Sequence, residues 1–430
     1  MMNIAHRRIL KSFIWVIAIC IVVAIMVSWH EFAMQQNMKI KMLTQTRDEG
    51  GKPTPTSISI AVTAGIHNRS EIFASSEFKH SPITHIGFLK VHKAASTTTQ
   101  AIFLRFGWRR NLTFVLSPEY NRFGYPNIIS INESITKYNT LPPPPGKTFD
   151  ILCNHVVYGE KEWSSVLPSD TVMIGTIREP FGHFKSVINY FNPRPLSFVQ
   201  RAVDSSDPIG AFLAHPMKYE NPEFIRHSFT NNHLAFEYGV PPDIIIKKDF
   251  KTFEKYLKEV LDKQFKVVLT AERYDVSLVL MKRKLNWSFK DIMYALKNVR
   301  GVAKVDRYPI KEGHKVLHRN YAAFDYLLFE FFDNRLSRQI EAEGTGFMEE
   351  VANFKEIREQ VEYYCHLLPG KIPALKIEKN KWTEGFNMSQ KDCELMHIGE
   401  IPFVQMIRKK QYGSANWSFV KRVAQGKPRK

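Results

Sequence analysis

Glycine is missing where a nucleotide-binding loop would need it. Between Gly87 and Gly107 there is none, and no G-x-x-x-x-G-K-[ST] run occurs, which excludes a Walker A loop. No D-x-D occurs either, which weighs against a metal-dependent sugar-nucleotide transferase. His314 and His318 stand four apart in HKVLH but lack the glutamate of a metalloprotease helix. They are expected to be surface residues on a polar segment, and no metal is required. Zinc-finger spacing, a basic zipper and internal repeats are all absent. Cysteine is scarce. Cys20 lies in an apolar run, so one disulfide among Cys153, Cys365 and Cys393 leaves a thiol over. The Cys365–Cys393 pair is preferred because both lie in the loop-rich C-terminal part.

Acidic residues are outnumbered, 42 against 60 basic ones, for a formal charge of +18 over 430 residues. That balance suggests polyanionic partners, anionic cofactors or a membrane surface. The basic residues are dispersed, so nucleic acid is not indicated, and a solvated basic surface accounts for most of them.

One long uncharged stretch is present, SFIWVIAICIVVAIMVSW over residues 12–29. Eighteen such residues approach the lower limit for a membrane-spanning helix. Arg7, Arg8 and Lys11 precede it and Glu31 follows, which places residues 1–11 in the cytosol and the remainder in the lumen. A cleaved signal peptide is the alternative. The run is longer than a usual h-region and no clear A-x-A site follows, so an uncleaved signal anchor is preferred. Residues 30–82 read as a polar stem, and a luminal domain is expected over 83–430. Sequons at Asn68, Asn111, Asn132, Asn286, Asn387 and Asn416 fit a secretory-pathway glycoprotein.

Within that domain, HIGFLKVHKAASTTTQAIFLRF (85–106) opens as a strand with Ile86, Phe88, Leu89 and Val91. It breaks into a small polar loop and continues as a helix that buries Ala101, Ile102, Leu104 and Phe106. Backbone N–H groups at such a helix start form an anion cradle. Lys93 adds a charge, and Ser96, Thr97 and Thr98 add hydroxyls. The same pattern also fits an ordinary βα unit with a polar N-cap.

Further strands are expected at 112–116, 149–155, 171–178 and 265–269, with His155 and Arg178 closing the second and third. Helices are expected after Pro180, over 222–238, 250–261 and 277–285, and from Asn320 to Glu343 with Phe324, Leu327, Leu328, Phe331 and Leu336 inward. Alternating strands and helices indicate an α/β fold with a central parallel sheet flanked by helices. Arg178, just past a buried strand, and Ser186, on the next helix, are suited to gripping a phosphate. For Arg178 the alternative is an ion pair with Glu179 or another acid; for Ser186 it is a plain helix-surface serine. Both would lie at the carboxyl edge of the sheet, where ligands bind. Two anion grips on one edge suit a nucleotide with phosphates at both ends of its ribose.

The arrangement strand–HKAAST–helix, then strand–IREPFGHFKSVINYF, resembles the two cofactor motifs of Golgi sulfotransferases. More narrowly, LKVHKAASTTTQAIFLRFG, ILCNHV, TIREPFGHFKSVINYF, LTAERYDVSLVLMKRKLNW and the Cys393 region resemble the galactose-3-O-sulfotransferase family, over roughly His85 to Trp417. The resemblance implies a P-loop-like sulfotransferase fold behind one transmembrane helix, in a single-pass type II Golgi membrane protein. It implies 3′-phosphoadenylyl sulfate (PAPS) as donor and a galactose-terminated glycolipid or glycoprotein as acceptor. Lys93, Ser96, Thr97 and Thr98 match the loop at the 5′-phosphosulfate, and Arg178 and Ser186 match the residues at the 3′-phosphate. Val187 stands where many members carry a second serine, and Asn231 stands where an arginine is expected. These departures bear on the acceptor more than on the donor.

Attack on sulfur needs a base for the acceptor hydroxyl and a cation at the leaving oxygen. Lys93 suits the second role. His155 is the preferred base, and His92 is its rival or an acceptor-orienting residue. A sulfotransferase for a uronyl or amino-sugar hydroxyl, an inactive luminal glycan-binding protein of the same fold, and a basic polyanion-binding protein are the other readings.

Overall fold

The computed structural model describes residues 81–118, 125–191, 206–295, 309–367 and 372–413. The expected membrane segment at 12–29, nearly all of the stem, and the sequons Asn68 and Asn416 lie outside these residues. Among the described residues no helix is long and apolar enough to cross a membrane.

Strand β1 (Ile86–Leu89) is fully buried and leads through a six-residue loop into helix α1 (Ser96–Arg110). Strand β2 (Ile151–Leu152) and strand β3 (Val172–Ile177) follow, and β3 runs through Arg178 into helix α2 (Pro180–Phe191). A short helix α3 (His233–Glu237) precedes strand β4 (Phe265–Thr270) and helix α4 (Tyr274–Leu285). The strands form one parallel sheet in the order β2-β1-β3-β4, with Ile86 facing both Ile151 and Val172. Buried on both sides, such strands are nearly continuous in Val, Ile, Leu and Phe.

Later in the chain come helices α5 (His314–Tyr321), α6 (Ala323–Ala342) and α7 (Phe347–His366). A small antiparallel pair, β5 (Leu375–Ile377) and β6 (Phe386–Met388), is followed by helices α8 (Gln390–His397) and α9 (Glu400–Tyr412). The Cys365–Cys393 disulfide forms as preferred and ties α7 to α8, and among the described residues Cys153 is the free thiol and is buried.

Four expectations change. The strand at 112–116 is only an isolated bridge, Phe114 to Ile151. The helix over 222–238 is a 3₁₀ turn at Pro222–His227, a loop and α3. The stretch from Asn320 splits at Ala322 into α5 and α6, and within α6 the inward stripe is Phe324, Leu328, Phe332 and Leu336. That spacing is four, one turn each. Leu327 falls off the stripe and is 38% exposed, while Phe331 is only partly buried. His314 and His318 are both buried rather than superficial. His314 Nε2 lies 2.9 Å from Asp207, and His318 Nδ1 lies 3.0 Å from the Tyr326 hydroxyl.

Helix α1 packs Phe106 flat on Trp287, ring centroids 3.7 Å apart. Gly175 on β3 is a close-approach glycine. A Cβ there would fall inside contact distance of the Tyr238 hydroxyl, which donates to the Thr176 carbonyl at 3.1 Å. Gly175→Ala is therefore expected to cost ~1–3 kcal/mol by overpacking, read as a lower urea midpoint. Gly313→Ala, where a Cβ meets nothing within 4 Å, should leave the midpoint nearly unchanged.

Candidate active site

Because all four strands run the same way, their carboxyl ends share one edge. β1 delivers His92 and Lys93 there, β2 delivers His155 three residues on, β3 delivers Arg178 and β4 delivers Glu272. These residues line a cleft of about 930 Å³. Ser96, Thr97 and Thr98 from the start of α1, Ser186 and Tyr190 from α2, and Glu400 from α9 complete it. Every site residue expected from the sequence thus lies on this one cleft.

The cradle reaches its shape without glycine. Lys93 (φ 57°) and Ala95 (φ 59°) both take the left-handed conformation. Alternating left-handed residues turn successive N–H groups inward, which makes an anion-binding concavity. Ala95 is the N-cap of α1, and no side chain caps the helix. The ordinary unit with a polar N-cap is thereby set aside, and the first N–H groups of α1 are not taken by a capping side chain. The Lys93 ammonium lies 3.6 Å from the centre of the Tyr190 ring, a cation–π contact.

The acid that Arg178 meets is Glu272 rather than Glu179. Arg178 NH1 donates to the Lys93 carbonyl at 3.2 Å, and its Nε stands 4.0 Å from Glu272. Glu179 instead caps Gly182 and pairs with Lys315. The guanidinium therefore braces the cradle and also faces the cleft. Ser186 is half-buried on the same wall and lines both the cleft and an adjoining hollow with Lys185 and Asn189.

Behind the cradle lies a buried histidine cluster. The rings of His92 and His155 stack with centroids 3.7 Å apart. His155 Nδ1 is 2.8 Å from the Lys90 carbonyl, and His183 Nε2 is 3.0 Å from the His92 carbonyl. In each pair the ring nitrogen carries the proton, because a carbonyl only accepts. Burial, then the His92 charge, holds His155 far below the ordinary histidine value. Burial does the same to His183 and brings His233 down to about 4. His92 has a carboxylate hydrogen-bonded to its ring, Glu237, with Oε1 2.5 Å from Nδ1, and the other oxygen of Glu237 lies 3.3 Å from His233 Nε2.

His92, His233 and Glu237 are close enough to suggest a metal cluster. Ligands of one tetrahedral zinc at ~2.0 Å stand ~3.3 Å apart, and the 2.5 Å His92–Glu237 separation is that of a hydrogen bond.

Two carboxylates here escaped the sequence reading. Glu400 opens α9, over 300 residues from the cradle, and pairs with the fully buried Lys90 at 2.6 Å. It also accepts from Thr97 at 3.3 Å. No local pattern marks it. Glu237 had a signal, the His233–Glu237 spacing of four on one helix face.

The sheet and cleft define an α/β protein with a cationic anion-binding site at its carboxyl edge. The chain belongs to the galactose-3-O-sulfotransferase family, whose model matches residues 5–383. It is 30% identical to human galactosylceramide sulfotransferase over 289 residues, 66% of this chain and 64% of that protein. It is 29% identical to mouse galactose-3-O-sulfotransferase 2 over 308 residues, 70% of this chain and 74% of that one. Human galactose-3-O-sulfotransferase 3 is 30% identical over 295 residues, 68% and 64% of the two chains. The chain thus spans just under two thirds of the human galactosylceramide enzyme. No solved structure matches.

The buried histidines set a pH dependence of stability. Unfolded, each takes up a proton near pH 6.5. Folded, His155, His183 and His233 do so only at lower pH, so the unfolded state binds more protons and stability falls on acidification below about 6.5. Asp325, raised to about 7 by burial, opposes one of them. Between pH 6.5 and 5, His183→Gln should flatten the fall by ~1.4 kcal/mol per pH unit, measured by urea melts.

Proposed function

We propose that this protein transfers the sulfo group of PAPS to the 3-hydroxyl of a β-galactose on a glycolipid or glycoprotein glycan. The observation that carries this reading is the convergence of the HKAAST cradle, Arg178 and Ser186 on one cleft. Family membership supports the reaction class. The relatives' names, one galactosylceramide and the others galactose, support the acceptor sugar. The charge asymmetry about residues 12–29 supports a type II anchor, with a stem over 30–82 and a luminal catalytic domain over 83–430, and the resemblance to Golgi sulfotransferases supports the Golgi membrane.

Lys93, the start of α1 and the hydroxyls of Ser96, Thr97 and Thr98 hold the 5′-phosphosulfate. Arg178 and Ser186 hold the 3′-phosphate. The acceptor hydroxyl attacks sulfur in line with the departing phosphate oxygen, whose growing charge Lys93 neutralises. To do so Lys93 exchanges the face of Tyr190 for the phosphate. The base comes from the stacked pair His92 and His155. The sequence favours His155. The geometry argues for His92, because a proton gained there is balanced by Glu237. His155 has only a carbonyl on its ring, and burial opposes its charging.

With PAPS carrying labelled sulfate, the full chain should label β-galactosides. Galactosides and glycosaminoglycans that all stay unlabelled while PAPS binds would refute this function. An acceptor panel with linkage analysis separates galactose from uronyl or amino-sugar hydroxyls. Lys93→Ala should cut kcat ~100-fold or more. His92→Ala should cut kcat ~100-fold or more while 3′,5′-bisphosphate binding persists. Full turnover in His92→Ala together with its loss in His155→Ala would return the base to His155.

A further inference from the structure

Glu237 lies 145 residues beyond His92, yet it holds that residue at two points. Oε2 accepts from the His92 main-chain N–H at 2.8 Å, and Oε1 stands 2.5 Å from ring Nδ1. The side chain is 3% exposed. Burial pushes this carboxyl upward, but the charges of His92 and His233 and the two His92 hydrogen bonds outweigh it, and the group stays ionised. An ionised carboxylate only accepts, so Nδ1 keeps its proton and Nε2 is the nitrogen at which a proton is gained or given up.

The mount of this carboxylate is independent of the cradle. Helix α3 is locked to α6 by reciprocal caps. Asp325 Oδ1 accepts from the Ala235 N–H at 2.8 Å, and Asn232 Oδ1 accepts from the Phe324 N–H at 2.9 Å. Asn232 sits at φ 48°, a left-handed position that asparagine tolerates. One turn along, His233 Nε2 stands 3.3 Å from Glu237 Oε2.

We infer that Glu237 is a positioning residue for sulfo transfer: it fixes the tautomer and angle of His92 and balances the imidazolium formed as the acceptor is deprotonated. The inference rests on the sulfotransferase reading above. As the acceptor oxygen bonds to sulfur, its proton passes to His92 Nε2. The bond from sulfur to the phosphate oxygen breaks, and its electron pair leaves with adenosine 3′,5′-bisphosphate. Glu237 stays ionised throughout, and no oxidant or reductant is involved. The charged and titratable groups around His92 are Glu237 and His233 from α3, His155 after β2, His183 from α2, and Lys90 and Lys93 from its own loop. Within this set Glu237 is the acid.

The test compares the full chain with its Glu237→Gln and Glu237→Asp variants, using PAPS and a β-galactoside from pH 5 to 9. In Glu237→Gln, kcat should fall ~100-fold, the scale of a general-base contribution. Its KM and its affinity for 3′,5′-bisphosphate should stay within about threefold of wild type, since neither depends on proton transfer. The acid limb of kcat/KM should move to lower pH, because protonated His92 loses its counter-charge. Glu237→Asp should recover part of the loss. With histidine labelled by ¹⁵N, the wild-type chain should show a far-downfield Nδ1–H proton that disappears in Glu237→Gln. A Glu237→Gln chain that binds the bisphosphate with unchanged kcat and acid limb overturns the inference. So does a wild-type chain without the downfield proton, even if no acceptor is ever sulfated. Wild-type turnover alone decides the reaction, so the two failures are distinguishable.

Discussion

The turn between β1 and α1 is the constraint on which the site depends. It carries two non-glycine residues in the left-handed region, Lys93 and Ala95, each at a cost of ~1–2 kcal/mol. Such strain persists only where neighbours over-determine it. Here they do: Arg178 donates to the Lys93 carbonyl, His183 donates to the His92 carbonyl, and Glu237 accepts the His92 N–H. Those clamps come from the end of β3, from α2 and from α3. A loop gripped from three directions keeps its N–H groups aimed at one place, which is the preorganisation that stabilising a developing anion requires.

The cradle is also tied from the other side. Lys90 is wholly buried, and burial lowers its basicity even against Glu400. Glu400 is held below its ordinary value, burial being outweighed by the Lys90 charge and hydrogen bond. A buried pair of this kind specifies position more than it adds stability. It seats the start of α9 beside Thr97, so the last described helix bears on the first functional loop. The disulfide between α7 and α8 tethers the same C-terminal region. That part looked like loop-rich trailing sequence, yet Gly399 and Glu400 line the cleft.

Much of this is legible in the sequence. The β1–loop–α1 unit, the buried run of β3, Arg178 at its end and Ser186 two turns into α2 follow from hydrophobic pattern and spacing, because each is local. Misreadings arose where tertiary packing overrode local preference. Leu327 matched a helical stripe, but the neighbours of α6 select positions four apart and leave it outside. The polar sequence around His314 and His318 predicts surface positions, but Asp207 and Tyr326 draw them inside. Residues 112–116 had strand composition yet form only one bridge, since β2 itself is two residues long.

By itself the sequence determined the parallel α/β class, the cradle and the residues facing it, because a parallel sheet with one shared carboxyl edge follows from alternating strands and helices. Only the tertiary structure decided the chemistry of the histidines. Sequence could rank His155 and His92 only by position. Their stacking, the carbonyl on one ring and the carboxylate on the other are contacts between segments far apart in the chain. A histidine's competence as a base is set by what touches its second nitrogen, and no local pattern encodes that partner.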